Sequence, residues 1–266
     1  MHREFPCFDG LRAIAATSVL LHHAGFQTGA SFRGGVGPYL ARFDAGVTVF
    51  FLISGFLLYR PFVVAHLSGG PVMPLRRFWR RRFLRIFPAY WVALTGVVLF
   101  FGVKLHGIRD WVTFYGLVQI YDSRRFFGAI SQAWSLATEI SFYLFLPLYA
   151  SVVRRLGRGG EGVEWAGLGV LVAVGLAFRS LLYPVRNPGV PASTQFLMRY
   201  WLPVHLDLFA LGMAMAVASV QLERRGREPF TGGLAGRAFP WVSWGLAAGA
   251  LWVVAHKVGL TAALAD

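Results

Sequence analysis

Long apolar stretches separated by short arginine clusters are the feature that most restricts the fold of this chain. Val47 to Leu58 is one such stretch, and the densest basic cluster follows it at residues 76–85. A membrane-spanning helix needs about 20 predominantly apolar residues, and cytoplasmic loops collect Lys and Arg. Of the 266 residues, 56% are hydrophobic and 14% are charged, with a mean hydropathy of +0.55. A water-soluble domain could not bury this much apolar surface, so we expect an all-α, polytopic bundle of transmembrane helices.

Hydropathy predicts about seven spans and a cytoplasmic N-terminus. Their approximate ranges are 9–26, 45–66, 86–104, 134–153, 165–183, 200–220 and 239–257. Residues 111–120 are apolar but too short to cross a bilayer alone, so we expect an interfacial or re-entrant element there. This arrangement places the main basic clusters inside, at 76–85, 154–158 and 224–237. We expect one membrane domain over residues 1–266, located in the inner (cytoplasmic) membrane as a multi-pass protein.

Charge and cysteine usage exclude several other classes of protein. The net charge of +14 is distributed in short clusters between apolar runs, which is not the pattern of a nucleic-acid-binding face. Cys7 is the single cysteine, so an internal disulfide and a thiolate zinc cluster are ruled out. We therefore expect the lipid bilayer as a partner, and neither nucleic acid nor a metal ion.

The first predicted span carries an unusual pair of ionisable residues, Arg12 and His23. At about 100° per residue they project from the same helix face, about 16 Å apart along the axis. Asp9 precedes Arg12 by three residues and can orient its guanidinium. A fixed cation suits a phosphate or carbonyl oxygen, and an imidazole suits proton abstraction from a hydroxyl. The alternative is that Arg12 reaches the lipid headgroups and His23 lies at the opposite interface.

Two further segments place charges next to predicted spans. Arg82 and Arg85 precede Pro88, which fits the first turn of a helix, so these arginines could form an anion site at a helix start. Ordinary anchoring by positive residues on the cytoplasmic side also explains them. Glu139 lies inside the fourth predicted span and needs a partner, either for structural pairing or for catalytic support. His205 and Asp207 could line a cavity, but polarity at the membrane interface explains them more simply.

The order and spacing of these segments resemble the acyltransferase-3 family of integral membrane acyltransferases. The matching residues run from position 8 to about position 215. They are Phe8-Asp9-Gly10-Leu11-Arg12, His23-Ala24-Gly25-Phe26, Gly46-Val47, Phe50-Phe51-x-Ile53-Ser54-Gly55-Phe56-Leu57, Arg82-x-x-Arg85-Ile86-x-Pro88, Trp134-Ser135-Leu136-x-x-Glu139-x-x-Phe142-Tyr143 and Phe209-x-x-Gly212-Met213. Family members usually have about ten spans, so we expect the sequence to be C-terminally incomplete.

The resemblance implies an enzyme that moves an acyl group, most often acetyl, from acyl-CoA to a hydroxyl of a carbohydrate, a lipid-linked sugar or another cell-envelope acceptor. It implies that Arg12 and His23 are the essential pair, that Arg82 and Arg85 serve the acyl-CoA donor, and that Glu139 supports the chemistry. In the expected mechanism His23 acts as general base. Two alternatives stay open: a proton- or anion-coupled transporter that uses Arg12, His23 and Glu139, and a bundle without activity.

Overall fold

The computed structural model describes residues 7–71, 73–157, 160–182, 191–226, 249 and 251–253. Every regular element in these ranges is a helix, which confirms the predicted all-α class. By contacts the chain divides into two compact units, residues 1–53 with 221–266, and residues 54–220. The helices Ala45–Leu67 and Leu202–Arg224 each run through a boundary between these units.

Nine α-helices follow one another along the described ranges. They are α1 (Cys7–Gln27), α2 (Gly37–Leu40), α3 (Ala45–Leu67), α4 (Leu75–Phe100), α5 (Gly107–Tyr115), α6 (Trp134–Gly157), α7 (Glu161–Leu182), α8 (Ala192–Met198) and α9 (Leu202–Arg224). Short 3-10 turns lie at Ala30–Phe32, Gln119–Tyr121 and Ser131–Ala133.

Five helical segments within the described residues are long and apolar enough to cross a membrane. They are Gly37–Leu67, Leu75–Phe100, Ser131–Gly157, Glu161–Ser180 and Ala192–Arg224. These confirm five of the predicted spans. The first predicted span is a helix of 21 residues, but its ionisable side chains lower its hydropathy and it is not among the five. The predicted span at 239–257 lies almost entirely outside the described residues.

The start of α4 differs from the prediction. The helix begins at Leu75, directly after Pro74, and Pro88 lies inside it rather than in its first turn. The expectation that Arg82 and Arg85 precede a helix start is therefore wrong. The physical reason is that residues 75–85 are amphipathic. Their arginines lower the average hydropathy, but an apolar face remains that can be buried in a helix. The buried residues of α4 are Phe78, Ile86, Tyr90 and Leu94.

In the first unit, α1 packs closely against the beginning of α3. A Cβ atom at Gly46 would lie 2.5 Å from the carbonyl oxygen of Ala15 and 2.9 Å from a methyl carbon of Val19. Ala15 is 2% exposed. Membrane helices approach each other most closely where a small residue removes the steric barrier, and Gly46 has that role here.

In the second unit, α3, α6 and α9 share one core. Gly55 lies against the backbone of α9, where an added Cβ would overlap the carbonyl oxygen of Phe209 and meet the amide nitrogen of Met213 at 3.2 Å. The rings of Phe142 and Phe209 stack with centroids 4.0 Å apart. Three of the segments that carry the family resemblance therefore meet at a single helix crossing, which explains why glycine and phenylalanine occur at these positions.

The segment between α4 and α6 is held against both helices. Tyr90 donates a hydrogen bond to the carbonyl of Phe114 at 2.9 Å, and the Trp91 indole donates to the carbonyl of Tyr115 at 2.9 Å. The hydroxyls of Tyr121 and Ser141 are 2.8 Å apart. The nine-residue α5 followed by a 3-10 turn confirms that residues 111–120 do not form a span of their own.

Candidate active site

The face of α1 that carries Arg12 and His23 is partly covered by protein. Val19 lies seven residues after Arg12 and four before His23, so the three residues share one stripe of the helix. Val19 contacts the region of Gly46 at the start of α3. Arg12 and His23 themselves are neither fully exposed nor buried. The stripe thus places a cation and an imidazole on either side of a close helix contact.

Asp9 holds Arg12 as the sequence predicted. The Nη1 atom of Arg12 is 2.9 Å from an Asp9 carboxylate oxygen. The Arg12 side chain is 23% exposed, whereas that of Asp9 is 81% exposed. Because the carboxylate lies on the outer side of the pair, it orients the guanidinium and leaves other N–H groups of Arg12 for a further acceptor.

The two neighbouring histidines differ in their hydrogen bonding. His22 Nδ1 lies 3.1 Å from the carbonyl of Leu40 and must be the donor, because a carbonyl can only accept. His22 therefore ties α1 to α2. His23 makes no ring hydrogen bond within the described ranges, and Asp44 is close enough to interact with it electrostatically. An imidazole that is not committed to a structural hydrogen bond is available for proton transfer. Sequence reasoning had not singled out Asp44.

In the second unit, Glu139 lies between two hydroxyl groups. Ser54 Oγ donates to Oε1 at 2.5 Å, and Tyr143 donates to Oε2 at 3.1 Å. Glu139 thus has hydroxyl partners of the kind that a carboxylate inside a membrane helix needs, one on its own helix and one on α3. Ser54 belongs to a segment that carries the family resemblance, but the sequence predicted no role for it. Its hydrogen bond to Glu139 gives it a structural role.

Arg82 and Arg85 differ more than the sequence indicated. Arg82 occupies the helical position between Phe78 and Ile86 on the buried face of α4, and its guanidinium carbon lies 6.0 Å from the centre of the Tyr143 ring. Arg85 is exposed. Arg82 also lines a cavity of about 130 Å³, whose other walls are apolar or aromatic: Trp79, Phe83, Phe87, Ile140, Tyr143 and Leu144.

His205 and Asp207 have structural contacts in the second unit. The guanidinium of Arg179 lies 2.8 Å from both carboxylate oxygens of Asp207, which joins α7 to α9. The imidazole of His205 stacks on Trp134 with centroids 5.7 Å apart. Both residues are thus engaged by neighbouring helices of the second unit.

A buried group of ionisable side chains was missed by sequence reasoning. Glu164, at the start of α7, is 1% exposed and lies 2.5 Å from His66 Nδ1 at the end of α3. Tyr59 donates a hydrogen bond to the other Glu164 carboxylate oxygen. An acidic residue at the edge of an apolar run was the available signal, but the predicted span began at residue 165 and excluded it.

The chain belongs to the acyltransferase domain family, whose profile matches residues 5–263. Membership in this family favours the enzymatic hypothesis over the transporter hypothesis. The region that matches the family profile is continuous and includes Arg12 and His23 of α1, Arg82 and Arg85 of α4, and Glu139. No solved structure matches the chain.

Several curated proteins are similar to this chain. The peptidoglycan O-acetyltransferase OatA of Listeria monocytogenes is 29% identical over 64% of this chain, and acyltransferase MdmB of Streptomyces mycarofaciens is 30% identical over 80% of it. Nodulation protein 10 of Rhizobium leguminosarum is 31% identical over 58%. The chain spans 28%, 57% and 46% of the lengths of these three relatives, respectively.

Proposed function

We propose that this chain catalyses transfer of an acyl group, most often acetyl, from acyl-CoA to a hydroxyl of a cell-envelope acceptor such as a glycan or lipid-linked sugar. Family membership over residues 5–263 is the observation that carries this proposal. The names of two relatives, an O-acetyltransferase and an acyltransferase, support the reaction type. The five membrane-length helices support a multi-pass protein, which we assign to the cytoplasmic membrane.

The proposed reaction assigns proton transfer to His23. Its imidazole takes the proton of the acceptor hydroxyl, the oxygen attacks the thioester carbonyl, and the carbon–sulfur bond breaks. The CoA thiolate then takes the proton from the imidazolium, so the products are an ester and free CoA. Arg12 stabilises negative charge on the carbonyl oxygen through the N–H groups that Asp9 does not use.

The arginines of α4 are proposed to serve the donor. Arg82 and Arg85 hold the phosphate groups of CoA, because guanidinium groups bind phosphate through charge-assisted hydrogen bonds. Arg82 lies on the buried face of α4 beside Tyr143, whereas Arg85 is exposed and offers a more peripheral contact. Glu139 supports the chemistry by holding Tyr143 in place next to Arg82.

The test compares the two adjacent histidines. Purified His23→Ala protein, incubated with radiolabelled acetyl-CoA and a cell-envelope fraction, should transfer acetyl about 10²–10⁴-fold more slowly than the wild type. His22→Gln is the matched control, since His22 is committed to the Leu40 carbonyl, and it should retain most of the activity. Equal rates for wild type and His23→Ala, at equal protein levels in the membrane, would refute the assignment of the general base.

A further inference from the structure

A polar cavity lies in the segment between α4 and α6, apart from the side chains discussed so far. Its volume is about 230 Å³, and its lining residues are Val103, Lys104, Asp110, Phe114, Arg124, Arg125, Gly128 and Ala129. We call it the Lys104 cavity. Three of its lining side chains are cationic and one is a carboxylate, so the cavity carries an excess of positive charge.

Arg125 is fixed in place by two carboxylates. Its Nε atom lies 2.7 Å from Asp110, and its Nη1 atom lies 2.7 Å from Asp122. Asp110 in turn accepts the backbone N–H of His106 at 2.6 Å, which caps the beginning of α5. These bonds make Arg125 and Asp110 a rigid wall of the cavity rather than mobile surface groups.

Lys104 and Arg124 are the cations that this network leaves available. Both are exposed, and neither has an ion-pair partner within the ranges that the structure describes. The backbone of Arg124 is held through its N–H, which donates to Asp122 at 3.0 Å. The Arg124 backbone is therefore held in place, and its guanidinium is available to bind an anion through charge-assisted hydrogen bonds.

The backbone around the cavity has an unfavourable conformation. Ala129 has a φ of 49°, in the left-handed region that residues with a side chain rarely adopt. Its neighbour Gly128 lies so close to the Phe114 ring that an added Cβ would come within 2.5 Å of the ring. Such strain persists where the surrounding structure enforces it, and it is concentrated at functional sites.

The Lys104 cavity and Arg82 lie near opposite ends of α4. Lys104 follows the C-terminal end of α4, whereas the arginine cluster lies near its N-terminal end, and α4 has 26 residues, or about 39 Å. On the predicted orientation the cavity is therefore on the outer side, where the positive-inside tendency does not account for basic residues. A donor bound by Arg82 and a ligand of the Lys104 cavity would approach from opposite ends of α4.

We propose that the Lys104 cavity binds the anionic group of an acidic carbohydrate that serves as the acyl acceptor. Lys104 and Arg124 contact its carboxylate or phosphate, and Asp110 accepts hydrogen bonds from its hydroxyls through its remaining lone pairs. A plain lipid phosphate would use the cations but not the carboxylate. That the bound carbohydrate is the acyl acceptor rests on the proposed function, whereas its binding to the cavity can be measured without catalysis.

The experiment measures binding of an acidic and a neutral sugar by calorimetry to the full chain in neutral detergent. The probes are trigalacturonic acid and uncharged maltotriose. Wild type should bind trigalacturonic acid roughly tenfold more tightly, and the double variant Lys104→Gln/Arg124→Gln should lose that preference. Arg109→Gln is the matched control, because Arg109 belongs to the same segment but does not line the cavity, and it should keep the preference.

Three binding outcomes would overturn the proposal: a wild type without a preference for the acidic sugar, a double variant that retains this preference, and a double variant that loses only its binding preference for phosphatidylglycerol over phosphatidylcholine in nanodiscs. The last outcome would assign the cavity to lipid headgroups. If wild type binds the acidic sugar but never transfers acetyl, the proposed function fails and the cavity proposal stands. If it transfers acetyl without a charge preference, the cavity proposal alone fails.

Discussion

The hydroxyl of Ser54 donates to a carboxylate oxygen of Glu139 at 2.5 Å, which joins α3 to α6 across 85 positions of sequence. The other carboxylate oxygen accepts the phenol of Tyr143. An ionisable group within a membrane helix is costly unless it has such partners. This contact therefore stabilises the second unit and also sets the position of the one acidic residue proposed to assist acyl transfer.

Removal of the Ser54 hydroxyl should destabilise the protein. We expect Ser54→Ala to lower the free energy of unfolding by about 1–2 kcal/mol, because Glu139 loses a donor that water cannot easily replace. Thermal unfolding in detergent measures this change. Ser180→Ala is the control, since the exposed Ser180 hydroxyl, as far as the described residues go, bonds only to the carbonyl of Ala177 in its own helix. Equal losses in the two variants would contradict the prediction.

The helix crossing at Gly55 should not tolerate even one additional carbon. Gly55→Ala would place a Cβ against the carbonyl oxygen of Phe209, so we expect a loss of about 1–3 kcal/mol or less folded protein in the membrane. Gly96→Ala is the matched control, because no described residue outside its own helix turn lies within 4 Å of the added atom. That variant should be neutral or slightly more stable. A stable Gly55→Ala protein would mean that α3 and α9 can separate at low cost.

The buried Glu164 should be strongly coupled to its partners. Glu164→Ala leaves His66 and the Tyr59 hydroxyl without the carboxylate, and we expect a cost of about 3–5 kcal/mol in unfolding free energy. Tyr59→Phe should cost less. The double variant should cost less than the sum of the two, since the lost hydrogen bond is counted once. A strictly additive result in detergent would show that the Tyr59–Glu164 bond contributes nothing.

The segment around Arg125 should open in acid. The hydrogen bond from the His106 N–H and then that from Arg125 hold the pKa of Asp110 below its usual range. A carboxyl whose pKa is lower in the folded state stabilises the fold above its unfolded pKa of about 3.9 and loses that effect as the pH falls through the folded value. We therefore expect local opening below about pH 4, and Asp110→Asn should already be more open at pH 7.

A site-specific fluorophore can follow this opening. Cys7 is the single cysteine, so Cys7→Ala with Ser123→Cys places one label next to Asp122. The same label at Ser68→Cys, in the exposed turn after α3, is the control and should not report this transition. Identical signals at pH 7 from the labelled protein with and without the Asp110→Asn substitution would exclude a role for this carboxyl.

Hydropathy predicted the membrane helices well because the cost of exposing polar backbone in lipid leaves few alternatives. Residues 45–66 and 134–153 became α3 and α6 with small shifts at their ends. The prediction failed at the start of α4, where an average over the arginine cluster hid the buried face of Phe78, Ile86 and Tyr90. Periodicity over residues 75–90 was the signal that could have corrected it.

Residue contacts at the candidate site were much less predictable than the helices. The Arg12–Asp9 pair was expected because both residues lie on one helix turn, and local spacing determines such contacts. The hydrogen bond from Ser54 to Glu139 was not expected, since Ser54 lies on another helix and its position depends on tertiary packing. The same reason applies to Glu164 and His66, which are 98 positions apart.

The close contact between Gly46 and the Ala15 carbonyl limits how the α1 stripe can be varied. The obstacle to a larger residue at position 46 is a backbone oxygen, and no substitution elsewhere can shorten a backbone. In a randomised library that retains Arg12 and His23, compensating changes around position 46 should therefore not be recovered. Efforts to alter substrate preference in this protein are better directed at side chains outside that crossing, with residue 46 kept constant.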